Sequence, residues 1–175
     1  MKHFIIKNII SSEEVKLLSL WLEIAHRINL DEFDFGQGLN CDSMFYGTPI
    51  ADALLLKVQP IIEKKINKKL LATYSYARLY TKFAELEKHK DRPSCELSAT
   101  LHISKSGPDW PLFINNEKID LEPGDALVYD GVNNEHWRDC YEGDYYAQMF
   151  LHYVYADGKH KDYYRDKRPA FGMNK

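Results

Sequence analysis

The sequence contains no run of about eighteen apolar residues, so no segment of it reads as a membrane-spanning helix. Cysteine is scarce: Cys41, Cys95 and Cys140 are the three present, far apart and odd in number, which excludes a disulfide framework and a Cys-x-x-Cys zinc site. They read as reduced, small, buried side chains. Charge of neither sign dominates, with a formal net charge of -3 and a pI near 6.2, which leaves no general drive towards nucleic acid or an anionic membrane. The one basic run, "KHKDYYRDKR" from Lys159 to Arg168, is interrupted by Asp162 and Asp166 and reads as part of a solvated tail. The opening "MKHFIIKNIISSEE" has too short an apolar stretch for a secretory signal and no small-residue cleavage site. The expectation is a cytoplasmic protein with no nucleic-acid or membrane partner, and its oligomeric state is left open.

What is present is enough to fold. The 175 residues are 45% hydrophobic and 13% aromatic, sufficient for one domain with a sizeable core. Residues 4–10 read as a short strand. "SSEEVKLLSLWLEIAHRI" then offers Ser12 as an N-cap, acidic residues in the first turn, and apolar positions 15, 18, 22 and 25 on one helical face. Residues 30–47 read as a loop. A second helix begins at Thr48 as N-cap with Pro49 in its first turn, and Pro60 is expected to kink or divide it.

After Lys69 the period shortens. "LLATYSYARLY" alternates, with Tyr74, Tyr76, Arg78 and Tyr80 on one face. "ELSATLHI", "PLFIN", "KIDL", "DALVYD" and "YYAQMFLHYVY" follow, parted by turn residues such as "SGPDW", "EPGD" and "YEGD". Helices first and then seven or eight short strands predict an α+β domain whose sheet curls into a barrel or jelly roll. The divisions are a supporting strand and helices over 1–69, a barrel core over 70–156 and a polar tail over 157–175.

Within that core, "LEKHKDRPSCELSATLHI" sets His89 and Asp91 two apart, so that on an extended segment both point the same way. His136 arrives later, in "LEPGDALVYDGVNNEHWRDC". His89, Asp91 and His136 have the composition of a two-histidine, one-carboxylate facial triad, which holds Fe(II) by three positions and leaves three for substrates. The lack of a thiolate at the motif speaks against structural zinc.

On these residues the segment from Tyr74 to Val154 resembles the catalytic core of the 2-oxoglutarate and Fe(II)-dependent oxygenases, in their prolyl 4-hydroxylase-like branch. "YARLYTKFAELEKHKD" leads into the first two ligands, "LEPGDALVYD" precedes the last, and "EHW" carries it. The resemblance implies a double-stranded β-helix, of the jelly-roll or cupin-like kind, with amino-terminal supporting helices. It implies Fe(II) on His89, Asp91 and His136, with 2-oxoglutarate and dioxygen as cosubstrates. The reaction implied is hydroxylation of a peptide side chain or small molecule with release of succinate and carbon dioxide.

The resemblance also implies a tyrosine on the cosubstrate, and Tyr80 stands where that family has it. A basic residue about ten positions beyond the last histidine is expected too, but that region here reads "DYYAQMF". Two arginines remain for the distal carboxylate. Arg138 shares a strand face with His136 at about 6.6 Å along the chain, and Arg78 shares one with Tyr80; Arg138 is preferred. Arg92 is expected to contact substrate or Glu96, and His102 and His152 to be core or supporting histidines. The loop from Asp31 to Tyr46, with Gly36 and Gly38, is read as a lid.

Two other readings stay open. One is a non-catalytic cupin-like module that holds a metal or small acid in the same barrel. The other is a metal-dependent isomerase or oxygenase that does not use 2-oxoglutarate.

Overall fold

A computed structural model describes residues 3–32 and 42–173. The expected lid glycines, Gly36 and Gly38, and Cys41 lie outside the described residues. Among the described residues ten strands and two long helices follow one another as β1 (Phe4–Ile6), α1 (Ser12–Glu32), β2 (Ser43–Tyr46), α2 (Pro49–Ile66), β3 (Leu70–Thr81), β4 (Leu86–His89), β5 (Leu97–Ser106), β6 (Leu112–Ile114), β7 (Glu117–Ile119), β8 (Ala126–Tyr129), β9 (His136–Arg138) and β10 (Tyr145–Tyr155). Two antiparallel sheets result, one of six strands in the order β1-β8-β5-β10-β3-β2 and one of four in the order β4-β9-β6-β7. No described helix is long and apolar enough to cross a membrane.

Alternation along β10 explains the layers. Ala147, Met149, Leu151 and Tyr153 join Leu18 and Leu22 of α1 and Leu55, Val58 and Ile62 of α2 in the main core, and the Tyr153 hydroxyl donates to the Leu55 carbonyl at 2.8 Å. The helices therefore cover the outer face of the six-stranded sheet. Tyr146, Gln148, Phe150 and His152 point the other way, into the space facing the four-stranded sheet. There Tyr146 packs with Tyr80, Trp110 and Tyr141, while Leu112, Ile114, Leu127 and Tyr129 form a further apolar cluster.

Several sequence expectations shift. The cap of α1 is Ser11, one residue before the predicted Ser12: its hydroxyl accepts from the Glu14 amide at 3.3 Å, and Glu14 accepts from the Ser11 amide at 2.9 Å, a reciprocal capping box. Thr48 does precede α2 but makes no side-chain cap bond. Helix α2 runs through Pro60 undivided, because the carbonyl that loses its partner belongs to Leu56, on the helix's exposed side. Residues 43–46, expected as loop, form β2 by pairing with residues 76–79 of β3.

The solvated-tail reading of residues 159–168 holds at the exposed Lys159, Lys161, Asp162, Tyr164 and Lys167 and fails at the buried Asp166 and Arg168. A segment over Lys161–Lys167, kinked where Tyr164 is extended and Arg165 and Asp166 take positive φ, leads to Arg168, whose buried guanidinium meets Asp52 of α2 at 2.8 Å. Asp52 also accepts from the Gly172 amide at 2.6 Å and the Ser75 hydroxyl at 2.7 Å. Asp166, likewise buried, accepts from Arg92 at 2.8 Å and from the Tyr46 hydroxyl at 2.5 Å. Arg92 is thus paired with Asp166, and its sequence-predicted partner Glu96 instead accepts from the Tyr155 amide at 3.0 Å.

Candidate metal and ligand site

Strands β4 and β9 bring the two histidines together. His89 and His136 are directly opposed in the antiparallel register, with ring centroids 4.2 Å apart. Asp91 lies beyond the end of β4, not on the strand as the two-residue spacing suggests, and a turn aims it: its amide donates to the Gly131 carbonyl at 2.8 Å. Gly131 permits that approach, since a Cβ there would lie 2.3 Å from Asp91 Oδ2 and 2.5 Å from the Cys95 carbonyl.

Ligand atoms of His89, Asp91 and His136 all lie within 4.8 Å of one another. Asp91 Oδ1 is 3.7 Å from His89 Nε2 and 3.6 Å from His136 Nε2. The opposite ring nitrogens are engaged: Nδ1 of His89 meets the Glu87 carbonyl at 2.7 Å and Nδ1 of His136 meets the Asn134 carbonyl at 3.1 Å. Carbonyls only accept, so both Nδ1 atoms carry a proton, and in the neutral form of each ring the Nε2 lone pair is the one that faces Asp91. Burial keeps the His136 imidazolium disfavoured, more strongly than Asp91 favours it, so its pKa is lowered. Two nitrogens and one carboxylate oxygen converging in this state fit a divalent first-row metal.

Asp91 has a second attachment. Its Oδ2 accepts from the Ser98 hydroxyl at 3.0 Å, and Ser98 Oγ lies 3.0 Å from His152 Nδ1. Because the serine proton goes to the carboxylate, His152 donates through Nδ1. Its burial lowers its pKa to about 4 and keeps the ring neutral. Cys95 belongs to this neighbourhood as a buried thiol, 3.1 Å from the Tyr74 hydroxyl and pushed up to about 12 by burial.

The three candidate ligands open onto a cavity of about 200 Å³ whose wall includes Tyr76, Arg78, Tyr80 and Phe150. Burial raises the pKa of Tyr80, with Arg78 and then Arg138 acting in the opposite sense, so it is a phenol that can donate. The two arginines differ. Arg78 donates to Asp42 at 2.6 Å and lies 4.1 Å over the Tyr80 ring. Arg138, buried on the same face of β9 as His136, does not line the cavity wall. It donates to the Trp110 carbonyl and lies 4.7 Å and 4.9 Å over the rings of Trp110 and Tyr146. No carboxylate among the described residues pairs with it.

Ser98 and Gln148 carry no motif and the sequence reading passes over them. The signal for Gln148 was its place in the alternation Tyr146, Gln148, Phe150, His152; for Ser98 there was none without knowing that β5 runs beneath Asp91.

No protein-family model matches the sequence, and no curated protein does. Solved structures match closely in shape. A viral collagen prolyl hydroxylase of Paramecium Bursaria Chlorella virus-1, in complex with 2-oxoglutarate, superposes with a TM-score of 0.66 at 10% identity, over 87% of this chain and 95% of that one. HygX of Streptomyces hygroscopicus, with nickel and 2-oxoglutarate bound, gives 0.65 at 14% identity over 86% and 81%. A prolyl-4-hydroxylase of Pseudomonas putida gives 0.61 at 14% over 86% and 91%. At these identities it is the shape that is shared: the chain has the fold of the 2-oxoglutarate and Fe(II)-dependent oxygenases, prolyl hydroxylases among them.

Proposed function

We propose that the protein is an Fe(II)- and 2-oxoglutarate-dependent dioxygenase, its two sheets forming a double-stranded β-helix and residues 1–175 a single catalytic domain. The observation that carries this reading is the convergence of His89 Nε2, His136 Nε2 and Asp91 Oδ1, with both histidine tautomers set by backbone carbonyls. Fe(II) held there, with 2-oxoglutarate and dioxygen, supplies oxidative decarboxylation to succinate and carbon dioxide coupled to hydroxylation of a substrate C–H bond.

The chain's own residues do the rest. Ser98 holds Asp91 Oδ2 and leaves Oδ1 for the metal. Arg138 is the cation for the distal carboxylate, because a buried guanidinium without a carboxylate partner is costly until an anion arrives; Arg78 already has Asp42. Tyr80 donates its phenol to the same ligand. Tyr76 and Phe150, 6.1 Å apart, wall the mouth against water. The fold's neighbours include prolyl hydroxylases and an enzyme crystallised with hygromycin B, and the substrate class here is a peptide side chain or a small molecule.

The test is an anaerobic titration with Fe(II) and then 2-oxoglutarate, read by the weak visible charge-transfer band of a chelated oxo acid. The band is expected, together with succinate production in air, and His89→Ala and Asp91→Ala are expected to abolish both while retaining the fold. Iron binding with neither band nor succinate would leave a metal-bearing barrel with a different task.

A further inference from the structure

Eight buried side-chain nitrogen or oxygen atoms among the described residues have no hydrogen-bond partner, and five belong to just four residues: Arg78 Nε, His102 Nε2, Arg138 Nε, and both Oε1 and Nε2 of Gln148. These four residues lie in one region. Gln148 is opposite Arg78 of β3 and opposite His102 of β5 in the register of the six-stranded sheet, so the three form a row across its inner face. His102 stacks on Tyr146 at 4.4 Å, and Tyr146 lies against the Arg138 guanidinium. Native interiors pair nearly all their buried polar groups, so these orphans, grouped around Arg78 in the wall of the cavity that His89, Asp91 and His136 share, mark a place that lacks a polar partner.

Gln148 is the anomaly within it. Its side chain is wholly buried, with both ends of the carboxamide unpaired. Leucine or methionine would fill the same volume without that desolvation cost. His102 cannot hold an anion, since its Nδ1–H is committed to the Leu121 carbonyl at 2.8 Å and its Nε2 therefore only accepts. A carboxamide can donate, and it occupies the strand where the sequence has no basic residue to offer.

We propose that Gln148 is a cosubstrate-binding residue: its Nε2–H groups donate to the distal carboxylate of the oxo acid beside the charge of Arg138, while its Oε1 accepts from Arg78 Nε. This rests on the dioxygenase reading and deepens it. A neutral amide with a single guanidinium makes recognition of the far end directional, in place of a second positive charge.

The test uses the full chain loaded anaerobically with Fe(II), following the charge-transfer band for 2-oxoglutarate and for 2-oxobutyrate, which lacks the distal carboxylate. Gln148→Leu, with Gln148→Met as the second variant should leucine not fold, is expected to weaken 2-oxoglutarate by about ten- to a hundredfold, as for loss of a hydrogen bond to a charged group. Affinity for 2-oxobutyrate and for Fe(II) should be unchanged, and the apo melting temperature should rise because an unpaired amide has gone. A 2-oxoglutarate affinity within twofold of the parent would make Gln148 a packing residue and overturn the proposal while leaving the dioxygenase reading standing. Absence of the band in the parent, with iron bound, overturns both.

Discussion

His89 and His136 face each other across β4 and β9, and each donates its Nδ1 proton to the carbonyl of the residue two before it, Glu87 in one case and Asn134 in the other. The same local device on two strands points two Nε2 atoms at one carboxylate. Backbone atoms that substitution cannot remove thus orient both candidate ligands.

The first prediction concerns the metal. His89→Ala, Asp91→Ala and His136→Ala should each weaken Fe(II) binding by at least about a hundredfold, because on the proposed reading each removes a direct ligand, where loss of a supporting contact alone costs about ten- to a hundredfold. Competition with a chelator measures this, and far-ultraviolet circular dichroism should be unchanged.

Ser98→Ala should weaken Fe(II) binding by about tenfold or more without touching the metal, since Asp91 Oδ2 loses the hydroxyl that orients it. The same change leaves the Nδ1–H of buried His152 unpaired, so unfolding free energy should fall by about 1–3 kcal/mol. Chelator competition and a urea melt read the two effects separately.

Acid should destabilise the protein before its carboxylates titrate. Burial lowers His102 and His152 to about 4 each, while the unfolded chain takes up a proton near 6.5. Between those values the unfolded state binds more protons, so stability falls as pH falls through 6.5 and continues to fall until about 4, by about 1.4 kcal/mol per pH unit for each histidine. Urea midpoints at pH 7, 6 and 5 should show this slope, and His152→Phe should reduce it.

Arg168→Met should cost about 3–5 kcal/mol, the penalty for stranding a buried carboxylate. Burial pushes the Asp52 pKa upward, but Arg168, the Gly172 amide and Ser75 together outweigh it and hold the carboxyl below its ordinary 3.8. A depressed pKa contributes stability above 3.8 that is lost as pH falls through the folded value. Asp52→Asn should therefore be less stable at pH 7 and show a shallower acid limb in thermal melts.

Much of this was legible in the sequence. Strict alternation gave away β3 and its inward face, and His89 and Asp91 stood out as candidate ligands two residues apart, while His136, 45 residues further on, joined them by residue type and family resemblance. The three- and four-residue strands β2 and β9 were not so visible, since their pairing partners, and not their own pattern, make them strands. The tail misled for a similar reason: "KHKDYYRDKR" has the local look of solvated charge, and what buries Arg168 is Asp52, 116 residues earlier. Gln148 is uncharged, and the pattern expected on that strand is a basic residue, so nothing in its local sequence singles it out.

The Asp52–Arg168 pair also orders events during synthesis. Asp52 leaves the ribosome 116 residues ahead of its counterion, an interval of about 6–23 s at usual elongation rates. Through that interval the Asp52 carboxylate lacks its guanidinium, and Ser75 of β3 is the partner that emerges first.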